Sequence, residues 1–232
     1  ALLRKKPIML LKGKFQNGRS GERTRKLLVV VQYTASMILL CGTLIVFAQL
    51  NYMRRQSLGV RTDRILVVKF PGPTEGMKIK MEAMRKAIRK LPLVSKVTCS
   101  GSVPGEEVAM FRSNRRTHDA LKQNRLYEML SCDPDYMDAY GLELVAGRGF
   151  SEDYGDDVNK LVINETAART LGYTDYESVI GEEISVETIE EPMQVIGVVK
   201  DYHQQALNRN YTPIMLFHKD KIDWIPQRYI SI

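Results

Sequence analysis

The chain has 232 residues, with 34 basic against 27 acidic side chains and a formal charge of +7. That charge is no nucleic-acid signature, because residues 1–26 hold nine of the basic groups (Arg4, Lys5, Lys6, Lys12, Lys14, Arg19, Arg23, Arg25 and Lys26) against a single acid, Glu22. The other 206 residues carry 25 basic and 26 acidic groups, so the body is close to neutral and no nucleic-acid partner is expected.

The basic stretch 1–24 reads as a solvated linker or a short amphipathic piece on an anionic leaflet. Leu27 to Leu50 then runs for 24 residues without a charge. As a helix that is about 36 Å long, enough to cross a hydrocarbon core with some tilt and too long for a cleavable signal. Gln32, Thr34, Ser36 and Gln49 interrupt the run, and polar groups in a span face other helices more often than lipid. The positive-inside rule places the basic tail in the cytoplasm and the body outside; Arg54, Arg55 and Arg61 weaken the asymmetry without reversing it. With no breaker before Gly59, the helix is expected to continue as a stalk and stop at a glycine cap there.

Beyond the stalk, "RILVVKF" (64–70) reads as a buried strand. Met77, Met81, Met84, Ile88 and Leu91 recur at helical spacing until Pro92, so 75–91 reads as a helix with its methionines toward the core. "LVSKVTCS" supplies a second strand and completes a βαβ unit over 64–100. From Gly101 to Asn124 the chain turns polar, and its basic part, "RSNRRTH" (112–118), is expected in a solvated loop, with contact to an acidic partner as the alternative. "RLYEMLSC" resumes strand alternation. A short helix should follow, with Asp133 as N-cap, Pro134 at its first helical position and Gly141 past its end, then "LELVAG" as a strand. In "INETAARTLG", Asn164 is the N-cap of another helix and Gly172 its close. "EEISVET", "MQVIGVVKDY" and "TPIMLF" are the last strands, giving an α+β body of short elements.

The chemistry of a catalytic site is hard to assemble from these residues. There is no G-x-x-x-x-G-K-[ST] loop to cradle a nucleotide, no G-x-S-x-G elbow, no H-E-x-x-H helix and no C-x-x-C pair. His118, His203 and His218 fall in separate elements without metal-ligand spacing, and Asp201 with His203 reads as a polar strand end rather than an acid/base pair. The carboxylates of Ser151–Asp157 fit no EF-hand order and read as a solvated loop. Asn164 and Asn210 begin glycosylation sequons, which would mean little if the source is bacterial. Cys41 lies in the span; Cys99 and Cys132 lie in the body, where a bridge is chemically permitted but two free buried thiols are the default. No catalytic, cofactor-binding or metal-binding residue is assigned, and no cofactor is expected.

In order along the chain, "RKLLVVVQYTASMILLCGTLIVFAQLNYMRRQSLGV", "DPDYMDAYGLELVAGRGFS", "LVINETAARTLG", "VIGEEI" and "VIGVVKDYH" resemble ABC-transporter permeases of the MacB and FtsX type. The resemblance covers about 25–217, and "PIMLLKGKF" looks like the lead-in to the second half of a duplicated permease. It implies a first transmembrane helix followed by a periplasmic domain with a porter-like βαβ part and a β-rich, Sabre-like insertion. The segments would be 1–24 cytoplasmic, 25–59 span and stalk, 60–100 porter-like half, 101–225 insertion and 226–232 the returning porter strand, in a chain cut from a longer permease. Gly141, Gly147, Gly149 and Gly172 would be scaffold positions and Arg148 a loop anchor. The implied setting is the bacterial inner membrane. The implied partners are an ABC ATPase subunit, another permease half or copy, and a periplasmic adaptor or extracytoplasmic substrate. The permease would be no enzyme, taking its energy from that ATPase. From residues alone the competing class is an extracytoplasmic sensor domain of a membrane receptor; a membrane-anchored enzyme lacks a constellation.

Overall fold

The computed structural model describes residues 19–71, 76–108, 110–117, 124–155, 157–205, 207, 209–221 and 226–232. The basic stretch before residue 19, most of the Pro-Gly-Pro turn, Glu75 and His118 lie outside them. The chain divides into two compact units at Gln56/Ser57.

The first unit is helix α1, Arg19–Arg55. Its residues Gly21–Arg55 are long and apolar enough to cross a membrane, and no part of that stretch is buried within the chain. Large apolar side chains from Leu27 to Met53 are exposed along it, as lipid or neighbouring helices would require. Thr43 satisfies its hydroxyl by donating back to the Leu39 carbonyl at 2.8 Å. The helix stops at Arg55 rather than reaching Gly59. Leu58 and Gly59 instead follow the body: the Leu58 carbonyl accepts a tertiary hydrogen bond from the His203 amide.

The second unit is built on ten strands among the described residues: β1 Val67–Lys69, β2 Thr98–Ser100, β3 Phe111–Arg116, β4 Arg125–Cys132, β5 Leu144–Gly147, β6 Lys160–Asn164, β7 Glu183–Val186, β8 Met193–Val199, β9 Ile214–His218 and β10 Tyr229–Ser231. Among the described residues three α-helices accompany them: α2 Met77–Ile88, α3 Tyr136–Tyr140 and α4 Glu165–Thr170. Strands β4, β3, β7, β8, β6 and β9 pair in that order, and β9 returns to pair with β4, so six strands close a barrel. Four of its six seams are antiparallel; β6–β8 and β4–β9 are parallel. Closure pairs both edges of each of these strands and removes a template for aggregation.

Alternation along the barrel strands sorts side chains into two packed layers. Tyr127, Met129, Leu161, Ile163, Ile184, Met193, Val195, Met215 and Phe217 form one cluster, joined by Ala167 and Ala168 of α4 and by Leu171 just past its end. Leu130, Cys132, Val162, Ile214 and Leu216 point the other way and pack with Tyr136, Met137 and Tyr140 of α3. Each fully buried large side chain contributes about 1.5–3 kcal/mol relative to exposure.

Beyond β4 the sheet continues through β2, β10 and β1. Strand β10 is antiparallel to both neighbours, with Ile230 opposite Val68 on one side and Cys99 on the other. β1 and β2 are therefore parallel, joined by α2 and separated by a strand from much later in the chain. A third small cluster, Met81, Val97, Cys99 and Ile230, glues α2 to this part.

Three sequence expectations are corrected here. The polar stretch 101–124 is not all loop: Phe111–Arg116 is a barrel strand hydrogen-bonded on both edges, and Asn114 within it is fully buried. Asp133 does not cap α3, which begins at Tyr136 after Asp135, with Pro134 in the preceding turn. The α1 helix ends four residues before Gly59, as described above.

Candidate functional site

The residues that follow α1 are sewn into the body. The His203 amide donates to the Leu58 carbonyl at 2.8 Å, and the Arg61 amide donates to the Tyr140 carbonyl at 2.7 Å. Gly59 has φ +75 and packs so closely on residues 201–202 that a Cβ there would lie 3.1 Å from the Asp201 carbonyl and the Tyr202 Cα. Only glycine takes that backbone at so short an approach without strain. Val60 and Ile65 pack against the α3 cluster. Leu66 then exchanges two 2.9 Å backbone bonds with Ile232. Between these two attachments Arg64 holds φ 61, the one non-glycine positive φ among the described residues. Residues 58–66 thus touch both the barrel side and the β1–β10 side of the body.

Residues 201–205, which receive Leu58, are themselves a crossroads. Asp201 accepts hydrogen bonds from the Thr166 amide and hydroxyl, both at 2.8 Å, and an ion pair from Arg169. The histidine two residues on turns elsewhere: the His203 ring lies 4.5 Å from that of Tyr211. Asp201 and His203 are therefore not an acid/base pair. Gln204 ties the segment to 102–106, donating to the Val103 carbonyl at 2.8 Å and accepting from the Gly105 amide at 2.9 Å. Asn164 performs its expected cap, its Oδ1 accepting from the Ala167 amide at 2.9 Å; the same oxygen accepts from the Ile214 amide at 2.9 Å.

Helix α2 is pinned by a buried guanidinium that sequence periodicity did not single out. Arg85 is 4% exposed; its Nη2 donates to Asp135 at 2.7 Å and its Nε lies 3.3 Å from Asp133. Asp133, fully buried, also accepts from the Cys99 amide at 2.8 Å and from the Thr98 hydroxyl. Burial pushes the Asp133 carboxyl above its ordinary range, against the pull of Thr98 and Arg85. Cys99 and Cys132 are free and buried, and burial pushes the Cys99 thiol up to about 12, so neither is a reactive thiolate.

Arg148 anchors the acidic loop, as expected. It grips Asp157 with two hydrogen bonds, and its guanidinium lies 4.1 Å from the Tyr154 ring centroid. Gly147 and Gly197 face each other across β5–β8, where a Cβ on Gly147 would lie 2.2 Å from the Ile196 carbonyl and one on Gly197 2.1 Å from the Arg148 carbonyl. Gly141 and Gly172 close α3 and α4, and Gly149 gives room to the Met137 methyl. His218 sits beside this loop, its ring edge-on to Phe150 at 5.8 Å. Burial lowers its basicity. Among the described residues no group of three or more His, Cys, Asp or Glu side chains could hold a metal ion.

The contacts of Leu58, Arg61 and Leu66 fasten residues 58–66 to the body. Residues 34–231 match the family of MacB-like periplasmic core domains, and the chain belongs to that family, whose members are permease components of ABC-type transporters rather than their ATPases. No curated protein matches. Among solved structures, the chain is similar to the periplasmic region of MacB from Actinobacillus actinomycetemcomitans, at 17% identity, TM-score 0.49 and 75% of each chain covered. It is similar to a domain described as a permease protein from Porphyromonas gingivalis, at 21% identity and TM-score 0.45, covering 63% of this chain and 64% of that one. It is also similar to the extracellular domain of the ABC-type transporter YknZ from Gram-positive bacteria, at 17% identity and TM-score 0.49, covering 72% and 82%. At these scores the family assignment rests on the sequence match alone.

Proposed function

We propose that the chain is a permease segment in which α1 spans the bacterial inner membrane, the basic tail stays cytoplasmic and the body works outside. In this reading the body couples ATP hydrolysis by a partner subunit to extracytoplasmic work, such as efflux, extrusion or force on an adaptor. A second permease half or copy completes the membrane bundle. Within the body, 60–100 and 226–232 form the porter-like part and 101–225 the Sabre-like insertion; β10 between β1 and β2 is the observation that supports this division.

The observation that carries the coupling is the double attachment of residues 58–66, through Leu58 and Arg61 on one side and Leu66 on the other. A segment merely tethering a domain would need no such bonds. A pull on it reaches two parts of the body at once.

The test is made in the assembled transporter. A flexible Gly-Ser insert after Gln56 should abolish transport-dependent function while membrane level and ATPase activity persist. Arg54→Ala, on an exposed helix position, should leave all three near wild type. Full function with the insert would reduce the segment to an anchor.

A further inference from the structure

Glu128 is the buried acid that the attachment does not explain. It lies on β4, 1% exposed, and no ion pair forms at it among the described residues. One carboxylate oxygen accepts from the Gln205 side-chain amide at 2.9 Å; the other is buried and, among the described residues, makes no hydrogen bond of ordinary length, although the Thr212 hydroxyl interacts with the carboxyl. Gln205 in turn accepts from Arg209 at 2.8 Å, and Arg209 lies 3.6 Å from Glu107. A neutral amide therefore stands between the buried carboxyl and the nearest cation, and an exposed carboxylate competes for that cation.

The elements packed on Glu128 give it hydrogen bonds but little countercharge. Register places Phe111 of β3 and Ile214 of β9 opposite it. From 201–213 it meets Gln205, Thr212, the buried hydroxyl of Tyr202 and, more distantly, Arg209; from the stretch before β3 it meets Glu107. Among these groups only Arg209 favours the ionised form by charge, while Glu107 opposes it. The Thr212 and Gln205 hydrogen bonds favour the ionised form, but burial outweighs them, so protonation is the less costly state in this place.

We propose that Glu128 is a proton-uptake site, and that its protonation sets how firmly residues 201–205 grip Leu58. The connection is short. Gln205, the hydrogen-bond partner of Glu128, is two residues from His203, whose amide holds the Leu58 carbonyl. Ionisation of Glu128 favours a loosened segment that admits water to the carboxylate. Burial raises the proton affinity of the carboxyl, so the gripped form binds a proton more strongly than the loosened form, in which Glu128 is solvated. The grip is then complete below the ordinary glutamate range and weakens as pH rises through the raised value. The proton comes from solvent, and no other reactant is needed. This is a property of the body alone and survives or fails independently of the transport reading.

The full chain in detergent micelles serves for the test. The carboxyl carbon of Glu128 is followed by NMR, and hydrogen exchange of 201–205, corrected for intrinsic rates, is measured between about pH 5 and about pH 8. The expected result is titration above the ordinary 4.5, with protection of 201–205 falling several-fold over the same range. Glu128→Gln, a mimic of the protonated form, should hold the low-pH protection throughout. Titration at or below the ordinary value overturns the proposal, and so does protection that changes with pH equally in both proteins. Should Glu128→Gln fail to fold, the titration of the unaltered chain decides alone.

Discussion

Arg148 holds Asp157 with two parallel hydrogen bonds, of 2.9 and 2.7 Å, across nine residues of sequence. Asp157 is 3% exposed and also accepts from the Ser151 amide at 2.8 Å, so the pair closes the acidic loop on itself. Burial alone would raise this carboxyl, but the Arg148 and Ser151 hydrogen bonds outweigh it and hold it below its ordinary range. The ionised form therefore stabilises the fold above the unfolded value near 3.8, and that contribution is lost as pH falls through the lower folded value. Arg148→Met should cost about 1–2 kcal/mol near neutral pH, less than for a fully buried pair because the guanidinium is partly exposed to water. Urea unfolding at several pH values checks this; the difference between variant and parent should shrink below about pH 4.

Arg85 and Asp133 should behave with the opposite sign. The folded carboxyl of Asp133 is raised by burial, so its effect on stability is most favourable in acid and declines as pH rises through the folded value. Arg85→Met removes the buried countercharge and leaves Asp133 ionised only at high cost, a loss of about 3–5 kcal/mol at neutral pH that narrows in acid. A penalty independent of pH would mean that Arg85 acts through packing alone.

Asn164 unites a helix start and a strand start through one oxygen. Asn164→Ala strands the Ala167 and Ile214 amides together and should cost about 2–3 kcal/mol, more than a cap on its own. Asn164→Asp retains the acceptor but loses the donation to the Thr212 carbonyl, so it should lie between the two in thermal unfolding.

Gly197→Ala would drive a methyl group to 2.1 Å from the Arg148 carbonyl, where only backbone movement can relieve the contact. A loss above about 3 kcal/mol or failure to accumulate folded protein is expected. Gly155→Ala, with open space around the added carbon, should be near neutral in the same expression and unfolding assays.

What could be read from sequence divides along a physical line. β4 was legible to the residue because it is a short apolar-rich run bounded by Asn124 and Asp133-Pro134, and the Asn164 cap because capping is local. β3 was hidden because Arg112, Asn114 and Arg116 occupy strand positions that ordinarily carry apolar groups; Asn114 is accommodated by a contact with the Met215 sulfur 101 residues away. Asp133 looked like a cap because composition cannot show that its carboxylate is already committed to Thr98 and Cys99. The attachment of Leu58 to His203 has no sequence signal at all, since it uses only backbone atoms. The absence of nucleotide-cradling motifs was readable, and the family match is to a permease component. Closure of the barrel by β9 was not, because a parallel pairing over so long a separation leaves no local trace.

The placement of β10 between β1 and β2 also imposes a timetable on synthesis. Roughly 130 residues separate Ser100 from its partner Tyr229, and at about 5–20 residues per second the ribosome needs on the order of 6–26 s to deliver them. Throughout that interval β1 and β2 have emerged with the slot between them unfilled. Their apolar side chains and open backbone are then available to any passing strand. A chain emerging beside a membrane must keep this seam from being filled by a neighbour, which makes the wait for Tyr229 the most exposed moment in the protein's life.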